Sequence, residues 1–390
     1  MQRITFLAPL CAGSLSMPGY LWVMKEIETP EALAQALTEP SLTDLAVQSL
    51  DLAPYEAQLL TKRISGCLFL GCTFTDRLLQ HIYRHNYIFP HLDVPYNPYP
   101  KALYDRHTLY EHYDPQQPAS YQHTPDKVTY DHFVRMGKEY GNIMETLAQR
   151  LHDHSITDAL QDFLVQYPER KVVAVMGGHN LSRDSDTYAK VAHLSKWLTK
   201  QGFLLVSGGG PGAMEATHLG AWLAGQSADA LAEAIAHLSR APYYDDPQWL
   251  PTAFEVLERH PRSAFRSVGI PTWGYGHEPP TPFASHIAKY FANSIREDGL
   301  LTIAKGGVVF APGSAGTLQE IFQDMAQNHY ETHDYASPMV FLDTHYWTHE
   351  RPVYPVIELM SARGDLSNLN IGIYDSVEEI AAHLLRFQEG

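Results

Sequence analysis

The rhythm of hydrophobic positions changes near residue 170. From Lys171 onward, short apolar runs that end in glycine alternate with stretches of helical spacing. KVVAVMGG (171–178) is apolar at nearly every position before its glycines, as a strand buried on both faces must be. Asp186–Leu198 follows with helical periodicity, GFLLVSGGG (202–210) reads as a second strand, and Ala213–Leu223 and Ala228–Leu238 read as helices. Tyr243–Pro261 looks like a polar, proline-punctuated insertion. SVGIPTW (267–273), GGVVFAPG (306–313) and SPMVFLD (337–343) are strand-like, and Phe283–Ile295, Thr317–Asn328 and Val377–Phe387 are helical. Alternating strands and helices predict an α/β fold, with a doubly wound (Rossmann-like) parallel sheet flanked by helices over residues 161–390.

Residues 1–160 read as a separate accessory region, an extra N-terminal α/β portion. Leu45–Leu52 and Cys67–Gly71 are strand-like, and Thr73–Asn86 has helical spacing. A stretch dense in Tyr, His and Pro, from Tyr87 to Phe133, is expected to wrap the surface in extended form, because its prolines block long helices and ladders. Met136–Phe163 reads as a long amphipathic helix leading into the second region. His81 and His85 stand four apart but lack the glutamate of an HExxH metal site. No metal ligand set emerges.

Composition narrows the partners. The 390 residues carry 28 Lys+Arg and 44 Asp+Glu, a formal charge of −16. Binding a nucleic-acid polymer needs a basic stripe, so that class of partner is disfavoured. Cys11, Cys67 and Cys72 are an odd count in a long chain, which argues against a disulfide scaffold and favours a reducing, cytoplasmic setting. CLFLGC (67–72) reads as a buried strand whose thiols pack as small hydrophobes. The opening MQRITFLAPLCAGS has too short an apolar stretch for a signal peptide, and no apolar run approaches the roughly 20 residues that span a bilayer.

Three glycine-rich corners follow predicted strands: Gly177-Gly178-His179-Asn180, Ser207-Gly208-Gly209-Gly210-Pro211-Gly212, and Pro312-Gly313-Ser314-Ala315-Gly316-Thr317. Each sets small residues between a strand and a helix start, where backbone N–H groups and the helix dipole favour an anion. Three in one sheet point to a phosphate-bearing ligand. There is no GxxxxGK[ST], so a P-loop triphosphatase is disfavoured. Gly208-x-Gly210-x-x-Ala213 fits a dinucleotide fingerprint formally, but it lies on the second strand and lacks the following acidic residue. Lys305 has no partner pattern for pyridoxal phosphate. No cofactor is implied. Two charged residues stand near the third corner: Arg296, expected near the end of a helix, and Glu320, four residues after Gly316 and so on the face bearing the loop.

GGGPGAMEA (208–216) and PGSAGTLQE (312–320) resemble the two signature motifs of the LOG family, the nucleoside 5′-monophosphate phosphoribohydrolases once labelled lysine decarboxylases. NSIRE (293–297) is similar to the segment before the second motif in the larger bacterial pyrimidine/purine nucleotide 5′-monophosphate nucleosidases. The resemblance covers roughly residues 170–385. It implies an N-glycosyl hydrolase that converts a nucleoside monophosphate to free base and ribose 5-phosphate. Arg296 and Glu320 fall on the catalytic positions, and Gly313, Ser314, Ala315, Gly316 and Thr317 on the phosphate loop. Gly178, Gly208, Gly209, Gly210, Gly212, Met214, Glu215 and Asn293 would complete the substrate site. The resemblance also implies a homo-oligomer. Ser314 stands where the family has glycine, which suits phosphate binding only if φ there is not positive. The alternative reading is a nucleotide-binding sensor or carrier that keeps the loops without turnover.

Overall fold

Alternation of faces decides how the second half folds. In a computed structural model, which describes residues 24–274, 276, 278–332 and 334–389, the chain divides into two compact units, Met1–His91 and Leu92–Gly390. The opening segment with Cys11 lies outside the described residues.

The first unit is a small parallel α/β structure. Strands β1 (Lys25–Ile27), β3 (Leu45–Gln48), β5 (Leu68–Leu70) and β6 (Tyr87–Phe89) pair in that order, and β2 (Ser41–Thr43) pairs with β4 (Arg63–Ser65). Helices Pro30–Ala36 and Asp76–Ile82 are capped by the hydroxyls of Thr29 and Thr75. Leu33, Val47, Phe69 and Leu78 form its core together with Cys67 and Cys72, whose thiols are buried as expected. Burial pushes the Cys67 thiol above its ordinary pKa.

In the second unit seven parallel strands form one sheet: β7 (Val172–Met176), β8 (Leu204–Ser207), β9 (Ser267–Gly269), β10 (His286–Ile287), β11 (Val308–Phe310), β12 (Pro338–Leu342) and β13 (Asn370–Tyr374). Their order is β10-β9-β8-β7-β11-β12-β13. Successive residues of β7 serve opposite faces. Val173 and Val175 pack with helices Asp186–Lys200, Ala213–Trp222 and Val377–Glu389, while Val172, Ala174 and Met176 pack with Ile143–Leu164 and Asn293–Ile303. Both faces are covered, which is why the strands are continuously apolar. No helix among the described residues is long and apolar enough to cross a membrane.

Four local expectations are corrected. Phe283–Ile295 is not a helix: it contains β10 and a turn, and the helix runs over Asn293–Ile303, so Arg296 lies in its first turn rather than near its end. Within Tyr243–Pro261, Trp249–Arg259 is helical. Its Pro251 is the third helical residue, where a missing N–H costs no intrahelical bond. The Tyr/His/Pro-rich stretch is no surface wrapping. Tyr96, Leu109, Tyr110 and Phe133 are buried with Trp249, Trp273 and Phe291 in an aromatic cluster of the second unit. For the same reason the compact boundary falls at residue 91, and not near 160.

Candidate active site

The chain builds β7 through β10 outward on one side, then returns to lay β11 against the other side of β7. Strand order reverses there, and ligands of open α/β sheets sit outside the carboxyl ends of the strands at such a reversal. The loops after β7 and β11 meet at that point. Gly178 donates its N–H to the Pro312 carbonyl at 2.9 Å, and a Cβ on Gly313 would stand 2.1 Å from the Thr317 hydroxyl. Only glycine permits this closure.

A cleft of about 270 Å³ opens above the meeting point. Gly178, Gly208, Gly210, Met214, Asn293, Arg296, Ser314, Gly316, Thr317 and Glu320 line it, so the sequence-chosen residues from all three corners converge. Gly209, Gly212, Gly313 and Ala315 shape the loops without lining it. Gly212 holds φ +68°, and a Cβ there would strike the Gly178 carbonyl at 2.3 Å. Ser314 has φ −106°, outside the left-handed region that would call for glycine.

Helices Ala213–Trp222, Asn293–Ile303 and Ala315–His329 all begin at the cleft, and none has a side-chain cap. Neighbouring helices at Asp186 and Ala228 are capped by Ser185 and Ser227. Three uncapped N-termini present first-turn N–H groups and positive dipole ends to one small volume, which suits an anion.

Arg296 supplies the cleft's guanidinium. Its Nε donates to the Ile270 carbonyl at 2.8 Å, and Nη1 stands 3.7 Å from Glu320 Oε1. Gly208 makes room for it, since a Cβ at that position would lie 2.1 Å from Nη2. Burial raises the Glu320 carboxyl from its ordinary 4.5 to about 7, against the pull of Arg296 and with a further push from Glu297. One turn on, Asp324 is raised to about 8 by burial alone, and its Oδ2 has no partner among the described residues.

Glu215 does not reach the cleft. It is fully buried and forked onto Arg183, at 2.8 Å (Nε to Oε2) and 2.5 Å (Nη2 to Oε1), and it accepts the Tyr188 hydroxyl at 3.0 Å. Arg183 Nη1 also donates to the carbonyls of Ala241 and Trp249 and to the Thr252 hydroxyl. These bonds occupy the carboxylate in joining the loop after β7 to three helices, Asp186–Lys200, Ala213–Trp222 and Trp249–Arg259. Arg183→Met should therefore destabilise the second unit by about 3–5 kcal/mol, because it strands a buried charge. Denaturant unfolding checks this, and an unchanged midpoint would contradict the assigned role.

The sequence reading also missed lining groups. Glu278 enters from the loop before β10, with Oε1 3.5 Å from His179 Nδ1. Burial raises its carboxyl against the pull of His179, Arg296 and Lys289. Pro271, Thr272 and Glu297 complete the wall. Tyr346 donates its hydroxyl to the Gly313 carbonyl at 2.5 Å and so braces the third corner from behind. No local pattern announced these residues, which meet the cleft only through the tertiary fold.

No protein-family model and no curated protein matches the chain. Solved structures do. The molybdenum cofactor binding protein of the phototrophic bacterium Rippkaea orientalis is similar over 56% of this chain and 96% of its own, at 13% identity and a TM-score of 0.33. The molybdenum cofactor carrier protein of Chlamydomonas reinhardtii covers 56% of this chain and 98% of its own, at 14% identity and a TM-score of 0.32. A structural-genomics target is similar at 18% identity and a TM-score of 0.32, over 55% of this chain and 98% of its own. Likenesses this remote assign no activity to the chain.

Proposed function

We propose that the cleft hydrolyses the N-glycosidic bond of a nucleoside 5′-monophosphate, releasing the free base and ribose 5-phosphate. The observation that carries this reading is the pairing of Arg296 with a Glu320 carboxyl poised near neutrality, beside three uncapped helix N-termini. The first-turn N–H groups and the Thr317 hydroxyl at the third corner hold the phosphate. Anchoring it fixes the ribose, so binding energy remote from C1′ is used to orient the reacting centre. Cleavage moves the C1′–N electron pair onto the base and builds positive charge on C1′ and the ring oxygen. The Glu320 carboxylate stabilises that charge and accepts a proton from the attacking water. A pKa near the working pH lets the group hold that proton and release it. The water oxygen ends on C1′, and a proton replaces the glycosidic bond on the base. Arg296, planar and always charged, clamps the phosphate or a ribose hydroxyl.

The test incubates the purified chain with nucleoside mono-, di- and triphosphates and assays ribose 5-phosphate and free base. Cleavage of at least one monophosphate is expected. Tight binding without cleavage would establish the sensor or carrier reading in its place. Neither binding nor cleavage would remove the nucleotide reading altogether.

A further inference from the structure

The segment that carries Arg296 into the cleft is fastened from behind by a residue the proposed chemistry does not use. Asp153 lies midway along the helix Ile143–Leu164 with its side chain fully buried. A buried carboxylate is costly unless its oxygens are satisfied. Here Phe291 donates its backbone N–H to Oδ1 and Ala292 donates its own to Oδ2, both at 2.8 Å. His152 Nδ1 lies 3.2 Å from Oδ1, and its Nε2 is 2.8 Å from the Tyr104 hydroxyl.

Those two consecutive N–H groups stand at the entry to the helix Asn293–Ile303. Ala292 is its N-cap residue and supplies no side-chain cap. Direction at this entry is therefore set by the Asp153 fork, which fixes two adjacent peptide planes at once. Arg296 follows within one turn, its N–H donating to the Ala292 carbonyl at 3.3 Å. From there its side chain must reach the Ile270 carbonyl at 2.8 Å and Glu320 at 3.7 Å. A small rotation of the first turn would swing the guanidinium off both. A second buried tether steadies the same segment: Lys289 Nζ donates to Asp126 Oδ1 at 2.6 Å, and Trp273 Nε1 donates to the same oxygen at 3.0 Å.

We propose that Asp153 is the positioning residue for Arg296, acting through the Phe291 and Ala292 N–H groups that aim the helix. As a statement about catalysis it rests on the hydrolase reading above. As a statement about where the guanidinium sits it does not. Asp153→Asn keeps the shape but turns one acceptor into a donor facing a donor. It is compared with the parent in two backgrounds, native Arg296 and Arg296→Ala. With Arg296 present, kcat/KM should fall by about 10–100-fold, through both a lower kcat and a higher KM, the scale of a misplacement near 1 Å of the group that clamps the substrate. In the Arg296→Ala background the same substitution should cost no further rate. The 15N–1H resonance of Arg296 Nε, bonded to Ile270 in the parent, should move toward that of a solvated guanidinium. An equal loss in both backgrounds, or an unmoved resonance, would overturn the proposal. If Asp153→Asn does not fold, His152→Asn takes its place: it weakens the hold on the carboxylate, and the same resonance shift with a loss of about 3–10-fold is expected. If the parent cleaves no nucleotide, the hydrolase reading fails while the resonance still decides the role of Asp153.

Discussion

Replacing Glu320 with glutamine is expected to cut kcat by about a thousandfold while nucleotide affinity stays within a few-fold. Glutamine keeps the volume and one hydrogen-bonding oxygen, but it has no charge to oppose an oxocarbenium ion and accepts no proton. Single-turnover kinetics on the nucleoside monophosphate picked out by the cleavage assay proposed above, together with calorimetric binding, make the comparison. A rate within about tenfold of the parent would remove Glu320 from the reaction. The same variant should be more stable in alkali. A carboxyl raised from 4.5 to about 7 in the folded protein binds more protons there than in the unfolded chain. Stability therefore falls as pH rises through that window, and the penalty is complete above the folded pKa. Glutamine avoids it, so Glu320→Gln should gain about 1–3 kcal/mol near pH 8 and little near pH 4. Loss of rate with a gain of stability separates a functional carboxylate from a structural one.

Arg296→Gln should have the second largest effect, visible in the pH profile. Arg296 is the group that pulls the Glu320 carboxyl down, against burial and Glu297. Without the guanidinium that carboxyl should rise above 7, so the acidic limb of kcat/KM moves to higher pH. At neutral pH the rate falls twice over, from the lost clamp and from the protonated carboxyl. KM should rise as well, by about 10-fold or more, if a charge-assisted bond to phosphate is lost. An acidic limb that stays in place would show that the ionisation governing the rate is not that of Glu320.

The parts of the site that lie close together in sequence were readable there. The corners at Gly177, Gly208 and Gly313 follow apolar runs directly, and Glu320 follows its loop by one helical turn. The seven-stranded sheet was foreseen in kind, while its edges were not. Asn370–Tyr374 was missed because Gly372 and its polar flanks break the apolar run, although a Cβ on Gly372 would strike the His383 ring at 2.6 Å. Arg296 stands at the start of its helix rather than near its end because Phe283–Ile295, despite its helical spacing, forms β10 and a turn. Glu215 sat correctly on its helix, yet its partner Arg183 is 32 residues away, and nothing local distinguishes a buried ion pair from a ligand-facing acid. Glu278, Asp153 and the aromatic cluster of Tyr96, Tyr110 and Trp273 depend on the same long-range meetings.

The uncapped helix ends have a consequence for how quickly a ligand arrives. Their attraction is dipolar and local, and Arg296 is partly offset by Glu320 and Glu278, whereas the chain's charge of −16 acts at long range and repels a phosphate dianion. At about 0.1 M salt the screening length is near 10 Å, so charges spread over the chain are screened more than the contacts within the cleft. Raising ionic strength should suppress the distant repulsion before it weakens the contacts inside. Association should then quicken with salt, the reverse of an electrostatically steered encounter, while the bound complex gains no lifetime.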